Sequence, residues 1–208
     1  MFYEVAQGHG LPYDPFKALV APRPVGWVTT MSASGAINLS PYSFFNAVSD
    51  KPHMVCFSSG GYKDAITFVQ ETGEFVCNMA TFDLRDAMNA TSAPLPRGES
   101  EFDHSGLTPA PSRLVKPPRV AESPVALECK LLRVLPLQPL EGEAAYIMAI
   151  GQVIGIHIDD AFIKDGIVDT AAMKPIARAG YKDYFVAQES AKFSIARPAG
   201  GGDLKRET

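Results

Sequence analysis

The sequence is poor in the features that mark several large classes of protein. Its 208 residues contain three cysteines, one tryptophan and no apolar run of about 20 residues, the length that a membrane-spanning helix needs. Neither a CxxC pair nor a basic and apolar leader is present, which argues against a zinc site, a disulfide framework and secretion. The net charge of −4 argues against general binding of nucleic acid. We therefore expect a cytoplasmic protein that binds neither membranes nor nucleic acid.

The cysteines and histidines do not form a recognisable site in the sequence. Cys56, Cys77 and Cys129 each lie in an alternating apolar segment, which predicts buried structural thiols. The four histidines are scattered, without carboxylates at ligand spacing, so we expect no metal site. His104 lies in a long loop, where it could either contact a nicotinamide or remain solvated.

The pattern of apolar residues predicts many short strands and few helices. Strands are predicted at residues 25–31, 37–39, 54–58, 74–79, 125–135 and 144–159, and helices at residues 64–72 and 83–90. The first strand is expected to be buried on both faces. Strands at this spacing, with isolated helices between them, favour a closed antiparallel barrel over a parallel sheet. We expect a single domain over residues 1–197 and a disordered tail at residues 198–208.

Local signals fix the ends of some of these elements. Asp64 is expected to cap the first helix, and Gly73 lies where a helix commonly ends. The pairs Ser34-Gly35 and Asp165-Gly166 are typical of tight turns, because glycine readily adopts a positive φ.

Residues 91–119 form a long proline-rich segment without periodicity. A connection of this length in a small domain is usually functional. It carries Arg97, Arg113 and Arg119, any of which could meet the pyrophosphate of a nicotinamide cofactor. The alternative is a solvated wrap over the barrel or over a dimer interface.

Two segments carry side chains that suit a ligand. Residues 58–64, Ser-Ser-Gly-Gly-Tyr-Lys-Asp, lie between a predicted strand and a predicted helix. Their hydroxyls, glycines and lysine, with the free N–H groups of the helix, could bind a terminal phosphate. The alternative is a glycine-rich surface turn with a solvated lysine. Residues 40–46, Ser-Pro-Tyr-Ser-Phe-Phe-Asn, suit a flat ligand that is aromatic on its face and polar on its rim, as a flavin ring is.

Taken together, these motifs resemble those of the flavin reductase-like family, whose members bind FMN in a split β-barrel. The matching segments are APRPVGWVTT at 21–30, NLSPYSFFNAVSD at 38–50, FSSGGYKDAITF at 57–68, TGEFVCNMA at 72–80 and DAMNATSAP at 86–94. The loop before Lys63 is shorter and less basic than in many relatives, which predicts fewer cationic contacts with a phosphate. AGYKDY at 179–184 resembles the glycine-aromatic element that approaches the flavin ring in this family.

The resemblance implies a fold and a set of binding residues. The implied fold is mainly β with a few helices, an antiparallel FMN-binding split β-barrel of Greek-key type. Trp27 could instead be a core residue, and one of Phe44 and Phe45 is expected in the core and the other near the ring. The residues implied to hold the isoalloxazine ring are Trp27, Val28, Thr29, Thr30, Ser43, Phe44, Phe45 and Asn46. Those implied at the ribityl phosphate are Ser58, Ser59, Lys63 and Thr67, with Asp64 as the helix cap or as an orienter of Lys63.

The resemblance also implies an activity. Hydride would pass from NADH or NADPH to bound FMN, and no side chain is required as a catalytic acid or base. FMN is expected rather than FAD, because the sequence has no dinucleotide fingerprint. A homodimer is implied, with an oxygenase or another electron acceptor as partner. The alternatives are a flavin-bound electron carrier without a nicotinamide site, and a barrel that binds another flat ligand.

Overall fold

A seven-stranded antiparallel sheet forms the centre of the computed structural model, which describes residues 1–96 and 99–198. Its helices are α1 (Phe16–Leu19), α2 (Asp64–Thr72), α3 (Arg85–Ala90), α4 (Glu101–Ser105) and α5 (Thr170–Met173). Its strands are β1 (Arg23–Pro24), β2 (Gly26–Met31), β3 (Ile37–Tyr42), β4 (Phe45–Asp50), β5 (His53–Gly60), β6 (Glu74–Met79), β7 (Pro109–Ala110), β8 (Arg119–Val120), β9 (Val125–Pro136), β10 (Tyr146–Ile158), β11 (Ile163–Lys164), β12 (Ile167–Val168), β13 (Ile176–Arg178) and β14 (Tyr184–Val186). Arg97 and residues 199–208 of the predicted tail lie outside the described residues.

The order of the strands shows that the sheet closes into a barrel. The order is β3-β2-β6-β9-β10-β5-β4, so β3 and β4 are its two edges. Only Ser43 and Phe44 separate these strands in the chain, and so short a connection spans about 10 Å at most. The sheet must therefore curl until its edges meet. In the described residues the two edges do not pair with each other, so the barrel is split along this seam.

Strand β2 is buried on both faces, as its sequence predicts. Val28 packs inside the barrel with Phe57 and Phe75, and α2 closes the interior with Ile66 among its buried residues. Trp27, the neighbour of Val28, points to an outer cluster that includes residues of α3 and α4. The barrel wall is therefore packed between an inner core and an outer apolar layer.

The helix α2 has the predicted bounds, but its cap differs from the prediction. Gly73 ends it with φ 70°, and its N–H donates to Val69 C=O at 2.9 Å. The prediction that Asp64 caps the helix is wrong, because Lys63 is the N-cap and Asp64 is the first helical residue. The reason lies in the hydrogen bonds: Thr67 N–H donates to Lys63 C=O at 3.0 Å, which starts the helical pattern one residue earlier.

Other sequence predictions are confirmed or extended. Gly35 has φ 93°, and Asp165 and Gly166 have φ 52° and 78° in the turn between β11 and β12. All three cysteines are buried and free. Strand β4 and helix α4 were not predicted, since β4 is a half-exposed edge strand and α4 is a single short turn. None of the described helices has the length and apolar character that crossing a bilayer demands.

Residues 107–120 of the long segment lie over the outer face of the sheet and are fastened there by Glu128. This side chain is fully buried on β9. Its carboxylate accepts hydrogen bonds from the N–H groups of Arg113 (2.8 Å), Leu114 (2.6 Å) and Val115 (3.2 Å), and lies 2.5 Å from His157 Nε2. Burial raises the pKa of Glu128, but the hydrogen bonds to Arg113, His157 and Leu114 outweigh it and lower the pKa overall.

Two side chains of β6, Glu74 and Asn78, also bind the backbone of the long segment. The carboxylate of Glu74 accepts from Lys116 N–H at 2.7 Å and pairs with Lys130. The side-chain oxygen of Asn78 accepts from Val120 N–H at 2.9 Å. These contacts bind the backbone of the segment to the barrel at successive points, so this part of it is an ordered strap.

Candidate ligand-binding site

Two cavities flank the edge strand β3. The larger has a volume of about 590 Å³ and is lined by Tyr13, Lys17, Arg23, Ser43, Arg178 and Tyr181 among others. The smaller has a volume of about 320 Å³ and is lined by Ser40, Tyr42, Lys63, Asp64, Ala65 and Glu101 among others. Ser92, which follows α3, lines both. The two spaces together form an elongated site along the seam of the barrel.

The smaller cavity lies at the N-terminus of α2. Lys63 is the N-cap, its side chain is exposed, and Ala65 in the first turn also lines the cavity. The first N–H groups of a helix have no partner within the helix, and the helix dipole places positive charge there. The cavity therefore offers an anion a lysine and backbone donors.

Glu101 brings a carboxylate to this cavity, but its oxygens are directed at β3. They accept from Asn38 Nδ2 at 2.7 Å and from Leu39 N–H at 2.8 Å, an N–H that faces outward on the edge strand. Burial raises the pKa of Glu101, and the charge of nearby Asp64 adds to the rise. The residue thus satisfies the open edge of β3, and it is, with Asp64, one of two acidic side chains on the wall of this cavity.

Tyr42 supplies a neutral hydroxyl to the smaller cavity. Burial raises its pKa to about 12, so the phenol keeps its proton at neutral pH. The side chain also belongs to the interior core, where its ring lies 4.9 Å from the ring of Phe57. A rigidly packed ring with a protonated hydroxyl is suited to donate one hydrogen bond to a ligand.

Arg23 organises one wall of the larger cavity. Its guanidinium donates to the carbonyl oxygens of Lys17 (2.5 Å), Val20 and Ala179 (2.9 Å). Burial lowers the pKa of Arg23, and the positive charge of Arg178 lowers it further. These hydrogen bonds join α1 to the turn between β13 and β14, two segments that are far apart in the sequence.

The turn between β13 and β14 places aromatic rings at the larger cavity. Tyr181 lies 6.0 Å from Tyr13 in an edge-to-face contact, and the guanidinium of Arg178 lies 4.5 Å from the centre of the Tyr184 ring. The turn packs closely on α1, since a Cβ at Gly180 would approach Ala18 Cβ to 2.4 Å. This is the AGYKDY segment, whose place beside the ring was implied by the resemblance.

A third space, the third groove, adjoins the larger of these two cavities and has a volume of about 700 Å³, more than either of them. Its lining includes the apolar side chains Phe16, Phe44, Tyr146 and Met148. Lys17 and Asp14 line both spaces, so the two meet at α1. The ring of Phe44 lies 5.6 Å from that of Tyr146, which fixes one side of this groove.

Five of the residues expected from the sequence lie on these walls. Ser43 lines the larger cavity, Lys63 and Asp64 line the smaller one, and Phe44 and Ser58 line the third groove. The structure therefore gathers them along one seam, although it divides them between three spaces.

The four residues of β2 lie elsewhere. Val28 is in the interior core, and Trp27 Nε1 donates to Thr91 Oγ1 at 2.9 Å. Thr29 Oγ1 accepts from the Asn78 amide at 3.0 Å, and Thr30 is fully buried. None of the four lines the cavities described above, and their backbone pairs with β3 and β6. Their contact with a ring stays a prediction.

The remaining expected residues are spread around the seam. Phe45 packs against the interior, in the space that a Cβ at Gly26 would need. Asn46 is exposed on β4, and Thr67 is half-buried on α2. Ser59 is buried on β5. Phe45 therefore packs on the core, as expected of one of the pair, and Phe44 lines the third groove, so its contact with a ring stays a prediction.

Sequence reasoning missed the cationic wall of the larger cavity. Arg23 was within a recognised motif, and its place directly before a buried strand was the available signal. Lys17 and Arg178 carry no local signal, because α1 and β13 come together only in the folded chain. Arg113 and Arg119, which were expected to meet a pyrophosphate, do not line these cavities.

Comparisons with known proteins agree with this architecture. Residues 19–170 match the flavin reductase like domain family, and the chain belongs to that family. An uncharacterized protein from Halalkalibacterium halodurans is 38% identical over 184 residues, which cover 86% of this chain and 87% of that protein. The crystal structure of nitrilotriacetate monooxygenase component B from Bacillus cereus has a TM-score of 0.84 at 32% identity and covers 94% of this chain and 98% of its own. Flavoredoxin of Desulfovibrio vulgaris (Miyazaki F) has a TM-score of 0.72 at 19% identity, with coverage of 99% and 100%. The fold is the split β-barrel of flavin reductase-like proteins.

Proposed function

We propose that the protein is an FMN-dependent oxidoreductase that accepts hydride from NADH or NADPH. The observation that carries this proposal is the site along β3, in a chain of the flavin reductase-like family. A small cavity with a lysine and a helix N-terminus adjoins a larger cavity with three tyrosines and three cations. A ligand with a phosphate at one end and a flat ring at the other matches this pair of spaces.

The smaller cavity would hold the phosphate of FMN. Lys63 supplies the charge, the first turn of α2 supplies backbone donors, and Tyr42 and Ser40 supply hydroxyls. A volume of about 320 Å³ suits one phosphate and part of the ribityl chain, and the sequence carries no dinucleotide fingerprint for a second phosphate. This is the physical reason to expect FMN rather than FAD.

The larger cavity would receive the isoalloxazine ring through Ser43 and the seam beside it. When bound, the flavin supplies the hydride chemistry. The chain positions the ring, and the cations of the cavity favour negative charge on a ligand held there. No acid or base from the chain is needed, so the activity would depend on binding and orientation.

We also propose a homodimer, because an apolar stripe lies exposed on β10. Strand β10 buries Ile147 and Ala149 in its first half and, beyond a β-bulge between Val153 and Gly155, leaves Ile154, Ile156 and Ile158 exposed. A partner subunit would cover this stripe. We also propose that the protein is a single domain and lies in the cytoplasm, a reducing compartment that suits its three free, buried cysteines.

A spectrum of the purified protein tests the main proposal. We expect a yellow protein whose extracted flavin is FMN, and whose visible absorbance is lost within seconds after anaerobic addition of NADH or NADPH. A clear preference of the flavin-free protein for FAD would contradict the assignment of the small cavity. A colourless protein that ignores added FMN would contradict the cofactor itself and favour a different flat ligand.

A second candidate function is a flavin-bound electron carrier without a nicotinamide site. The observation that favours it is the position of the long segment, whose Arg113 and Arg119 do not line the described cavities. Anaerobic mixing separates the two functions. A carrier would stay oxidised with NADH and NADPH and would take electrons only from a reduced partner protein, whereas a reductase reacts with the dinucleotide directly.

If the protein is a reductase, the partner that we propose for it is an oxygenase.

A further inference from the structure

The larger cavity has an excess of positive charge. Lys17, Arg23 and Arg178 lie on its wall, and Asp14 is the acid among its lining residues. Asp14 accepts a hydrogen bond from Phe16 N–H at 2.9 Å at the start of α1. Across residues 1–96 and 99–198, none of the three cations forms an ion pair with a carboxylate. Such a cavity attracts an anion.

The three cations differ in what they can offer a ligand. Arg23 is buried and its guanidinium is directed at three carbonyl oxygens, so its role is to hold the wall together. Arg178 faces Arg23 across the β1–β13 pair and donates to Tyr181 C=O at 2.6 Å, which leaves further donors of the guanidinium at the cavity. Lys17 is exposed. Arg178 and Lys17 are therefore the groups that can bind an anion.

Lys17 and Asp14 both line the larger cavity and the third groove, and Lys17 is the cation at this junction. A ligand that fills both spaces would pass this residue near its middle. A dinucleotide has its two phosphates in the middle and a ring at each end. The larger cavity offers tyrosine rings at one end of this path, and the third groove offers the apolar side chains of Phe16, Phe44 and Met148 at the other.

The backbone at Tyr181 is a second feature that points to a ligand. This bulky residue has φ 53°, in the left-handed region that such residues rarely adopt. Strained residues of this kind are concentrated at ligand sites. The Tyr181 ring lies at the cavity beside Tyr13, where it can stack on a flat ring.

We propose that Lys17 and Arg178 bind the pyrophosphate of the nicotinamide dinucleotide, with its nicotinamide half in the larger cavity and its adenosine half in the third groove. This assignment rests on the proposed function and replaces the arginines of the long segment as the source of the positive charge. The 2′-phosphate of NADPH is also an anion that the same two cations could bind. NADH lacks this group but has the pyrophosphate, so comparing NADH with NADPH shows which of the two groups the cations bind.

The test uses the flavin-loaded protein and the variants Lys17→Gln and Arg178→Gln. We expect KM for NADH to rise about 3- to 10-fold for the exposed lysine and about 10- to 100-fold for the arginine, with kcat nearly unchanged. Calorimetric titration with NAD⁺ and with inorganic pyrophosphate should show the same loss of affinity. Lys182→Gln removes an exposed charge from the same turn and should change neither quantity. Arg178→Lys keeps the charge and should recover part of the binding.

The possible results separate this inference from the proposed function. Equal losses for NADH and NADPH support binding of the pyrophosphate, and a loss confined to NADPH overturns this in favour of the 2′-phosphate. Unchanged KM and unchanged NAD⁺ affinity in both variants overturn the assignment. A flavin-loaded wild type that oxidises neither dinucleotide would contradict the proposed function. In that case the NAD⁺ titration decides the assignment, since wild-type binding that is lost in both variants supports it and any other result overturns it.

Discussion

The carboxylate of Glu128 allows a sharp prediction about the strap that it fastens. Glu128→Gln keeps the size of the side chain but replaces one acceptor oxygen by an NH2 group. Four donors now share the two oxygens, with Arg113 N–H and His157 Nε2 on one and the N–H groups of Leu114 and Val115 on the other. In the variant, an NH2 group in place of the oxygen shared by Leu114 and Val115 would face two donors, and one in place of the other oxygen would face Arg113 N–H, because His157 Nε2 can become an acceptor.

The expected size of the effect follows from this count. A buried donor that loses its partner costs about 1–3 kcal/mol. One or two such donors beneath the strap therefore predict a loss of about 2–5 kcal/mol in the free energy of unfolding. For a chain of this size, that corresponds to a decrease of about 4–20 °C in melting temperature.

Urea unfolding, together with hydrogen exchange, measures this effect. Exchange of the amides at residues 113–115 should speed up more than that of the barrel strands, because the strap loses its acceptor. Glu122→Gln is the matched control: Glu122 also accepts from a strap amide, Thr108 N–H, at 3.0 Å, but it is exposed and should change stability by less than about 1 kcal/mol. A Glu128→Gln protein that melts within about 2 °C of the wild type would refute the reasoning.

The same carboxylate should make stability depend on pH in acid. The folded pKa of Glu128 lies below its ordinary value of 4.5, so folding favours the ionised form. Its contribution is complete above 4.5 and is lost as the pH falls through the lower folded value. The decrease of melting temperature below pH 4.5 should therefore be shallower in Glu128→Gln than in the wild type. Parallel curves would show that other carboxylates dominate acid unfolding.

Three further perturbations test the site, the barrel and the assembly. Lys63→Ala should weaken FMN binding by about 10- to 100-fold and leave riboflavin binding unchanged, and equal losses in a flavin titration would mean that Lys63 does not contact the phosphate. Gly26→Ala should lower stability by about 1–3 kcal/mol in a thermal melt, because its Cβ would lie 2.4 Å from the Phe45 ring, and an unchanged melt would show that the ring can move freely. Ile156→Asp should convert a dimer into a monomer by light scattering, whereas the same change at the exposed Leu140 should not; a dimer that survives both changes would place the interface elsewhere.

Most of the barrel could be predicted from the sequence, because its strands and helices obey local rules. The alternation of Leu127, Glu128 and Cys129 gives the two faces of β9 correctly, and Gly73 marks the end of α2. The pattern could not show that the polar face of β9 is also buried. Glu128 looks like a solvent-facing residue until the strap, with its row of backbone N–H groups, covers it.

The candidate site was only partly predictable, for a related reason. Lys63 and Ser43 have local signals, a helix start and a polar break between strands, and both lie on cavity walls. Trp27 and Val28 have signals of equal strength, yet the strand that carries them is covered on both faces. A motif shows which residues are constrained. It does not distinguish residues that touch a ligand from those that shape the wall behind it.

The cationic wall of the larger cavity could not be predicted from the pattern of the sequence. Arg23 and Arg178 are register partners in the pairing of β1 with β13, which belong to a separate three-stranded sheet with β14. Lys17 joins them because Arg23 holds α1 by its carbonyl groups. Each of these residues is unremarkable in its own segment. Their concentration of charge arises only from the pairing of β1 with β13, and it provides a physical reason for an anion to bind there. In our proposal, the positive charge that we expected in the long segment is supplied instead by this wall of the cavity that would receive the flavin ring.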